Sequence, residues 1–264
     1  KGERWVIGML GAARGRIGGA RIRSWLAVAM LSIGLTVSGC ATVPDDPDAR
    51  AAYEEANDPL EPMNRYFFEV NYALDELVLK PWAGWYHIAL PEFARDGIRN
   101  ALNNLKSPVI FINDLLQGEP NRAGITIARF VINSTLGLAG LIDVAAEMGL
   151  TYHKEDFGQT LAVWGSDEGP YLVLPFIGPS NPRDAVGLAV DTVMDPFFWI
   201  AQHYDVEYML YIRAGLDVVD ARSRNLETLD EIRRNAIDYY ATIRSLYRQD
   251  RATAIANDDA DDEE

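Results

Sequence analysis

Residues 125–150, ITIARFVINSTLGLAGLIDVAAEMGL, decide how this chain must fold. Only Arg129, Asp143 and Glu147 are charged in this stretch, and glycines stand at 137, 140 and 149. The part up to Leu136 reads as helix, and the glycines that follow turn the segment into a helix–turn–helix. Two environments suit such a hairpin. It can pack as a buried helix pair, or it can lie against lipid tails, where small residues allow close helix approach without a polar penalty. The glycine interruptions argue against a full membrane span.

Outward from this stretch the helical pattern continues. Upstream, Asn57-Asp58-Pro59-Leu60-Glu61 is a cap-like start. After it, Arg65 to Leu79 sets Phe67, Val70 or Asn71, Leu74, Leu77 and Val78 at three- and four-residue steps, an amphipathic helix expected to end at Pro81. A second helix is expected over Pro91 to Leu105, with Phe93, Ile98, Leu102 and Leu105 on one face and Pro108 as its stop, and residues 109–117 are expected to be helical again. Downstream, residues 155–184, EDFGQTLAVWGSDEGPYLVLPFIGPSNPRD, are too rich in Gly and Pro for one regular element. They read as an ordered loop region with short strands, Tyr171 to Leu174 among them. Ala185 to Met194 and Pro196 to Gln202 read as short apolar helices. The cluster Phe197-Phe198-Trp199-Ile200 fits either a bilayer interface or a core. Val206 to Arg248 is periodic, as one long or two abutting surface helices. The expected fold class is all-α.

The two ends carry different information. Arg14, Arg16, Arg21 and Arg23 precede the apolar run Trp25 to Leu31 and the small-residue stretch Ile33 to Val37, the layout of a secretory signal. Val37-Ser38-Gly39-Cys40 then matches the bacterial lipobox, in which a peptidase cuts before a cysteine carrying diacylglycerol. Cys40 is the single cysteine of the 264 residues, so a disulfide framework is excluded. Two or three acyl chains at about 0.8 kcal/mol per buried methylene make such an anchor effectively permanent. The residue after the cysteine is Ala41 and not an aspartate, which by resemblance to known sorting rules in Gram-negative bacteria implies transfer to the inner leaflet of the outer membrane. The expected organisation is a lipoprotein signal over residues 1–39, a lipidated tether over 40–56, a helical domain over 57–250 and a disordered acidic tail over 251–264.

Charge and motifs exclude several functions. Six Lys/Arg and one Asp/Glu lie before Cys40, which leaves 18 basic and 38 acidic residues after it, a formal charge of about −20. That sign argues against nucleic-acid partners and against electrostatic adhesion to an anionic bilayer. No G-x-S-x-G elbow, phosphate-binding Gly loop, H-E-x-x-H or cysteine metal spacing occurs. His87, His153 and His203 are scattered. His153-Lys154-Glu155-Asp156 reads as a solvated turn, and Asp191 and Asp195 share one helix face, with Asp195 before Pro196 placed to cap or end a helix. The expectation is a protein that is not an enzyme and uses no cofactor beyond the covalent lipid on Cys40.

Several stretches, in order, resemble the MlaA (VacJ) family of outer-membrane lipoproteins. They run from Asn57-Asp58-Pro59-Leu60-Glu61 with Asn64-Arg65, Asn71, Lys80-Pro81 and Gly97-Ile98-Arg99-Asn100, through Leu116-Gln117-Gly118 and Asn133-Ser134-Thr135-Leu136-Gly137, to Glu155-Asp156-Phe157-Gly158-Gln159-Thr160-Leu161, Gly169-Pro170-Tyr171 and Arg183-Asp184. The resemblance implies a mostly helical, ring-like body embedded in the inner leaflet, with an amphipathic channel. Phospholipids strayed into the outer leaflet would pass through it to an MlaC-like periplasmic carrier, and porin trimers are implied partners. On this view the lipid-path candidates are Asn71, Asn133, Ser134, Thr135, Gly137, Gly140 and Asp143, with the hairpin from Asn133 to Gly149 as a gate. The competing reading is a porin-associated structural lipoprotein without transport activity; a membrane-bound lipase stands third.

The anchor assignment is directly testable. Replacing Cys40 by Ser should abolish metabolic labelling with palmitate and leave an uncleaved or soluble product; persistent labelling would refute the lipobox reading.

Overall fold

The computed structural model describes residue 41 and residues 43–257. The expected export signal, Cys40 and the acidic residues from Asp258 onward lie outside the described residues.

Helix α1, Pro47–Ala56, starts where the Asp46 carboxylate accepts the Ala49 N–H at 2.9 Å and ends at Asn57, whose φ of 48° is left-handed. The segment expected to be a tether thus contains a capped helix. Helix α2, Glu61–Leu74, does not stop before Pro81. It passes through a π-helical turn, Asp75–Leu79, into α3, Lys80–Ala89, with the Lys80 N–H reaching back five residues to the Asp75 carbonyl. The wider turn brings Pro81 in at the start of α3, where the missing N–H costs little. Pro108 likewise fails to end its helix: α4 runs unbroken over Glu92–Gln117 and closes on Gly118 at φ 83°. Helix α5, Pro120–Thr135, folds back along α4.

The second half of the hairpin is mostly turn. Residues 136–143 lead to a single helical turn, α6, Val144–Glu147. The 155–184 region supplies α7, Phe157–Val163, and an antiparallel pair, β1, Leu172–Leu174, with β2, Gly178–Ser180, in the register Val173 opposite Pro179. Helices α8, Pro182–Met194, and α9, Pro196–His203, match their expected places, and Asp195 caps α9 by accepting the Phe197 N–H at 2.9 Å. The C-terminal periodic stretch divides into three helices, α10, Tyr208–Arg224, α11, Leu226–Asn235, and α12, Tyr239–Ala256. Residues Arg251 to Ala256, assigned to a disordered tail from composition, belong to α12. Arg251 explains why: its guanidinium joins Asp156 at 2.6 Å and Asp184 at 2.9 Å, so the end of the helix is tied to α7 and α8.

The described part is therefore all-α apart from one short hairpin, and its interior combines a small apolar cluster around Tyr171, Val173 and Tyr240 with many buried polar side chains. The largest fully buried side chains are Gln159, Asn64, Asn113, Asn181, Thr160, Asp58 and Asp114. Large apolar side chains point outward instead, among them Trp82, Trp85, Ile88, Phe93, Leu136, Leu138, Trp199 and Ile200. The expected apolar face of α4 splits accordingly: Leu102 is buried while Phe93 and Leu105 are exposed. In water such an arrangement forfeits roughly 25 cal/mol for each Å² of apolar surface left wet. Against hydrocarbon it would forfeit nothing, and of the cluster at 197–200 Trp199 and Ile200 are exposed rather than part of the core. No helix among the described residues is long and apolar enough to cross a membrane.

Cohesion comes from buried hydrogen bonds. Asn64 donates to Asp58 at 2.8 Å and to the Tyr171 carbonyl at 2.9 Å, and accepts the Val173 N–H at 2.9 Å. Asp58 in turn accepts from Tyr240 and from Arg244, the latter at 2.7 Å. Asn64→Ala should orphan three buried groups at roughly 1–3 kcal/mol each. A fall in melting temperature of the detergent-solubilised protein is expected by far-UV circular dichroism, and an unchanged melting point would refute this role.

Candidate functional site

A cavity of about 400 Å³ opens between α4, residues 152–156, α8 and α10. Its apolar lining is Val109 and Ile110 from α4, Tyr152, and Leu188 from α8, while Asn103, Lys106, Lys154, Glu155, Asp156, Asp191, Thr192, Asp195 and Arg213 supply polar groups. The helical spacing explains the mixture. Lys106, Val109 and Ile110 lie three and four residues apart on α4, and Leu188, Asp191 and Thr192 do the same on α8, with Asp195 just past its end, so each helix turns one amphipathic stripe to the cavity. A second, wider groove of about 840 Å³ between α11 and α12 carries the carboxylates Glu231 and Asp238 and no cation, which unsuits it to a phosphate.

Most charges around the cavity are matched. Lys106 holds Asp217 with both oxygens, at 2.7 and 2.9 Å, and Arg213 meets Asp195 at 2.5 Å with its guanidinium 5.3 Å from the centre of the Phe197 ring. Arg122 reaches Glu155 at 3.1 Å, and Gln117 donates to the same carboxylate at 2.7 Å. Burial nevertheless raises the Glu155 carboxyl above its ordinary range, since those partners only partly offset desolvation. Burial also acts on Asp156, but there the Arg251 guanidinium outweighs it and the carboxyl is lowered.

The segment 153–156 is consequently no solvated turn. His153 and Glu155 are both buried, and the His153 imidazole lies 2.9 Å from Asp114 and 3.2 Å from the Thr126 hydroxyl. Clustered charges in a sequence ordinarily face water; here α4 and α5 bring matching partners from far along the chain.

The residues expected along a lipid path lie elsewhere. Asn71 donates to the Leu174 carbonyl at 2.9 Å and accepts the Phe176 N–H at 2.7 Å, clamping the β-hairpin turn. Asp143 accepts from Asn133 at 2.8 Å and from Arg129 at 2.6 Å, and caps α6 through the Ala146 N–H at 3.2 Å. Ser134 accepts from Asn104 at 2.9 Å, and Thr135 donates to the Val131 carbonyl at 2.7 Å. Gly140 holds φ at 92°, and a Cβ there would come within 2.7 Å of Asn104, while one on Gly137 would come within 2.1 Å of the Ile142 carbonyl oxygen. The polar side chains among them are all taken up in hydrogen bonds within the protein, and none of these residues lines the cavity. The link between the two is Tyr152, a cavity wall whose ring lies 5.6 Å from the Arg129 guanidinium carbon.

Composition and spacing missed Lys106, Tyr152 and Arg213. The paired Asp191 and Asp195 and the run around Lys154 were visible signals, but only the tertiary fold shows that they face one space.

The model of the family described as MlaA lipoprotein matches residues 56–254. The chain belongs to the MlaA lipoprotein family. A relative from Haemophilus influenzae, the intermembrane phospholipid transport system lipoprotein MlaA, is 37% identical over 227 residues, covering 84% of this chain and 86% of its own. The protein of the same description from Escherichia coli K12 is 32% identical, over 88% of this chain and 89% of its own. A solved structure described as "Structural basis for maintenance of bacterial outer membrane lipid asymmetry" superposes with a TM-score of 0.67 at 34% identity, over 75% of this chain and 98% of that one. Within the MlaA match lie the polar hub at Asn64, the hairpin around Asp143 and the whole cavity lining.

Burial tends to raise the Asp143 carboxyl, but the hydrogen bonds from Asn133 and Arg129 lower it below its ordinary value. A lowered folded-state value means stability that is present above the ordinary carboxylate range and lost as the pH falls below it. Asp143→Asn should therefore lower the melting temperature at neutral pH, and the gap to the parent protein should narrow on acidification. Gly137→Leu should reduce the amount of folded protein at every pH, as steric conflict does not titrate; a well-folded Gly137→Leu protein would contradict the geometry.

Proposed function

We propose that this chain is an outer-membrane lipoprotein that removes mislocalised phospholipids from the outer leaflet and passes them to a periplasmic carrier, maintaining lipid asymmetry. The observation that carries the reading is an amphipathic cavity inside a body that turns its large apolar side chains outward. The named activity of the relatives, intermembrane phospholipid transport, supports it. In this reading the body sits in the inner leaflet as a ring around its path, on the periplasmic side, tethered through acylated Cys40. The implied partners are an MlaC-like carrier and porin trimers, and the outward apolar faces supply surface for both bilayer and porin.

The physical task is to shield acyl tails. Exposing two tails of about 15 methylenes each to water, at ~0.8 kcal/mol apiece, costs on the order of 24 kcal/mol. A path with apolar walls and fixed polar groups removes most of that barrier without any bond being made or broken, so the chain needs no catalytic group. Val109, Ile110 and Leu188 meet the tails, and the charged rim meets the headgroup. Direction then comes from the affinity and energy supply of the partners.

Placing a photo-crosslinking benzoylphenylalanine at Leu188, which lines the cavity yet is half exposed, should yield phospholipid adducts in cells, whereas the same group at Thr228 in the α11–α12 groove should not. A Leu188 variant made at normal abundance without lipid adducts would refute the transport path and favour the purely structural, porin-associated role.

A further inference from the structure

Two charges in the cavity have no ionic partner. With Lys106, Arg213, Glu155 and Asp156 each matched to an opposite charge, Lys154 and Asp191 remain, and among the described residues neither forms an ion pair. Lys154 is exposed at the rim. Asp191 is half buried, and its carboxylate is held in place by the Asn113 amide at 3.0 Å and the Phe157 N–H at 3.0 Å. Both donors are neutral. A half-buried carboxylate held only by neutral donors is costly when the cavity is dry, and of the cations lining the same space Lys106 and Arg213 are taken by Asp217 and Asp195, which leaves the Lys154 ammonium at the rim. Consistent with this, burial raises the Asp191 carboxyl above its ordinary range despite the two hydrogen bonds.

We infer that the cavity selects a zwitterionic phospholipid headgroup, with the phosphodiester on Lys154 and the primary ammonium on Asp191. The inference rests on the proposed transport of phospholipid and adds the headgroup class. An anionic headgroup without a cation, such as that of phosphatidylglycerol, satisfies Lys154 but leaves Asp191 uncompensated and adds a like charge beside it. A headgroup bearing both charges leaves neither protein group alone. Lys106 and Arg213 line the same space and add positive potential for the phosphate while remaining bound to Asp217 and Asp195.

The test uses the full lipidated protein with the Leu188 crosslinker, in micelles holding equal amounts of phosphatidylethanolamine and phosphatidylglycerol of the same acyl composition. Adducts read by mass spectrometry report lipid beside Leu188, and their dependence on Asp191 and Lys154 separates cavity lipid from lipid on the outer surface. Phosphatidylethanolamine should exceed phosphatidylglycerol by about tenfold, the ratio expected of one half-buried charge-assisted pair. Asp191→Asn should bring the ratio close to equality with adduct yield retained. Thr192→Lys should do the same by setting a cation beside Asp191 without touching its hydrogen bonds to Asn113 and Phe157. Lys154→Gln should lower both adducts alike. Excess soluble O-phosphoethanolamine should leave the adducts in place; displacement by it would assign the cavity to a free metabolite and overturn the inference. Equal adducts in the parent, or a ratio unmoved by both Asp191→Asn and Thr192→Lys, would overturn headgroup selection while leaving transport intact. No adduct with either lipid would overturn transport and selection together.

Discussion

Asp58 is the point on which the fold depends. It lies buried between Asn64 on α2 and Tyr240 and Arg244 on α12, so the first and last parts of the described chain meet at one carboxylate. The same hub fixes the β-hairpin, because Asn64 spends its remaining capacity on the Tyr171 carbonyl and the Val173 N–H. A small apolar cluster, Tyr171, Val173 and Tyr240 with Phe67, Phe68 and Tyr247, packs around the same hub. Elsewhere many large apolar side chains face outward and contribute little to holding the helices together. Charge-assisted hydrogen bonds in a dry interior supply the cohesion instead, and each is strong because water cannot compete for it.

A similar device closes the other end. Arg251 binds Asp156, the cap of α7, and Asp184 in the first turn of α8, while Tyr247 donates to Asp184 at 2.5 Å. Helix α12 therefore buckles the chain at two places, through Arg244 and Arg251, two turns apart on one face. The family signature around Asp58-Pro59-Leu60-Glu61 and Glu155-Asp156-Phe157-Gly158 owes much of its chemistry to these buckles. Residues that look like binding groups in a list are here the frame that holds a binding space open.

The cavity occupies the gap that this frame leaves. Its walls come from α4 and α8, helices fixed by hydrogen bonds such as Asn113 to Asp191, so the polar groups that face the space are themselves positioned by buried partners. Tyr152 separates the cavity from the Arg129–Asp143–Asn133 network of the glycine hairpin. A wall residue that touches both makes the hairpin a support for the cavity rather than part of its lining, and Leu136, Leu138, Leu141 and Ile142 of that hairpin are exposed.

The amino-acid sequence by itself determined the helical class, the lipobox at Cys40, the broken hairpin after Asn133 and the absence of a recognisable catalytic motif, because each depends on local chemistry: periodicity, glycine spacing and short motifs. Three things it left to tertiary structure. Pro81 and Pro108 look like helix stops, yet a π-turn and long-range packing carry the helices past them. Arg251 looks like the start of an acidic tail, yet carboxylates nearly a hundred and nearly seventy residues away draw it into α12. Lys106, Lys154, Asp191 and Arg213 are scattered over three helices and a loop, and only the crossing of α4, α8 and α10 gathers them. The physical reason is the same in each case: local propensity acts through neighbours in the chain, whereas a buried charge is decided by whichever partner the fold brings within about 3 Å of it.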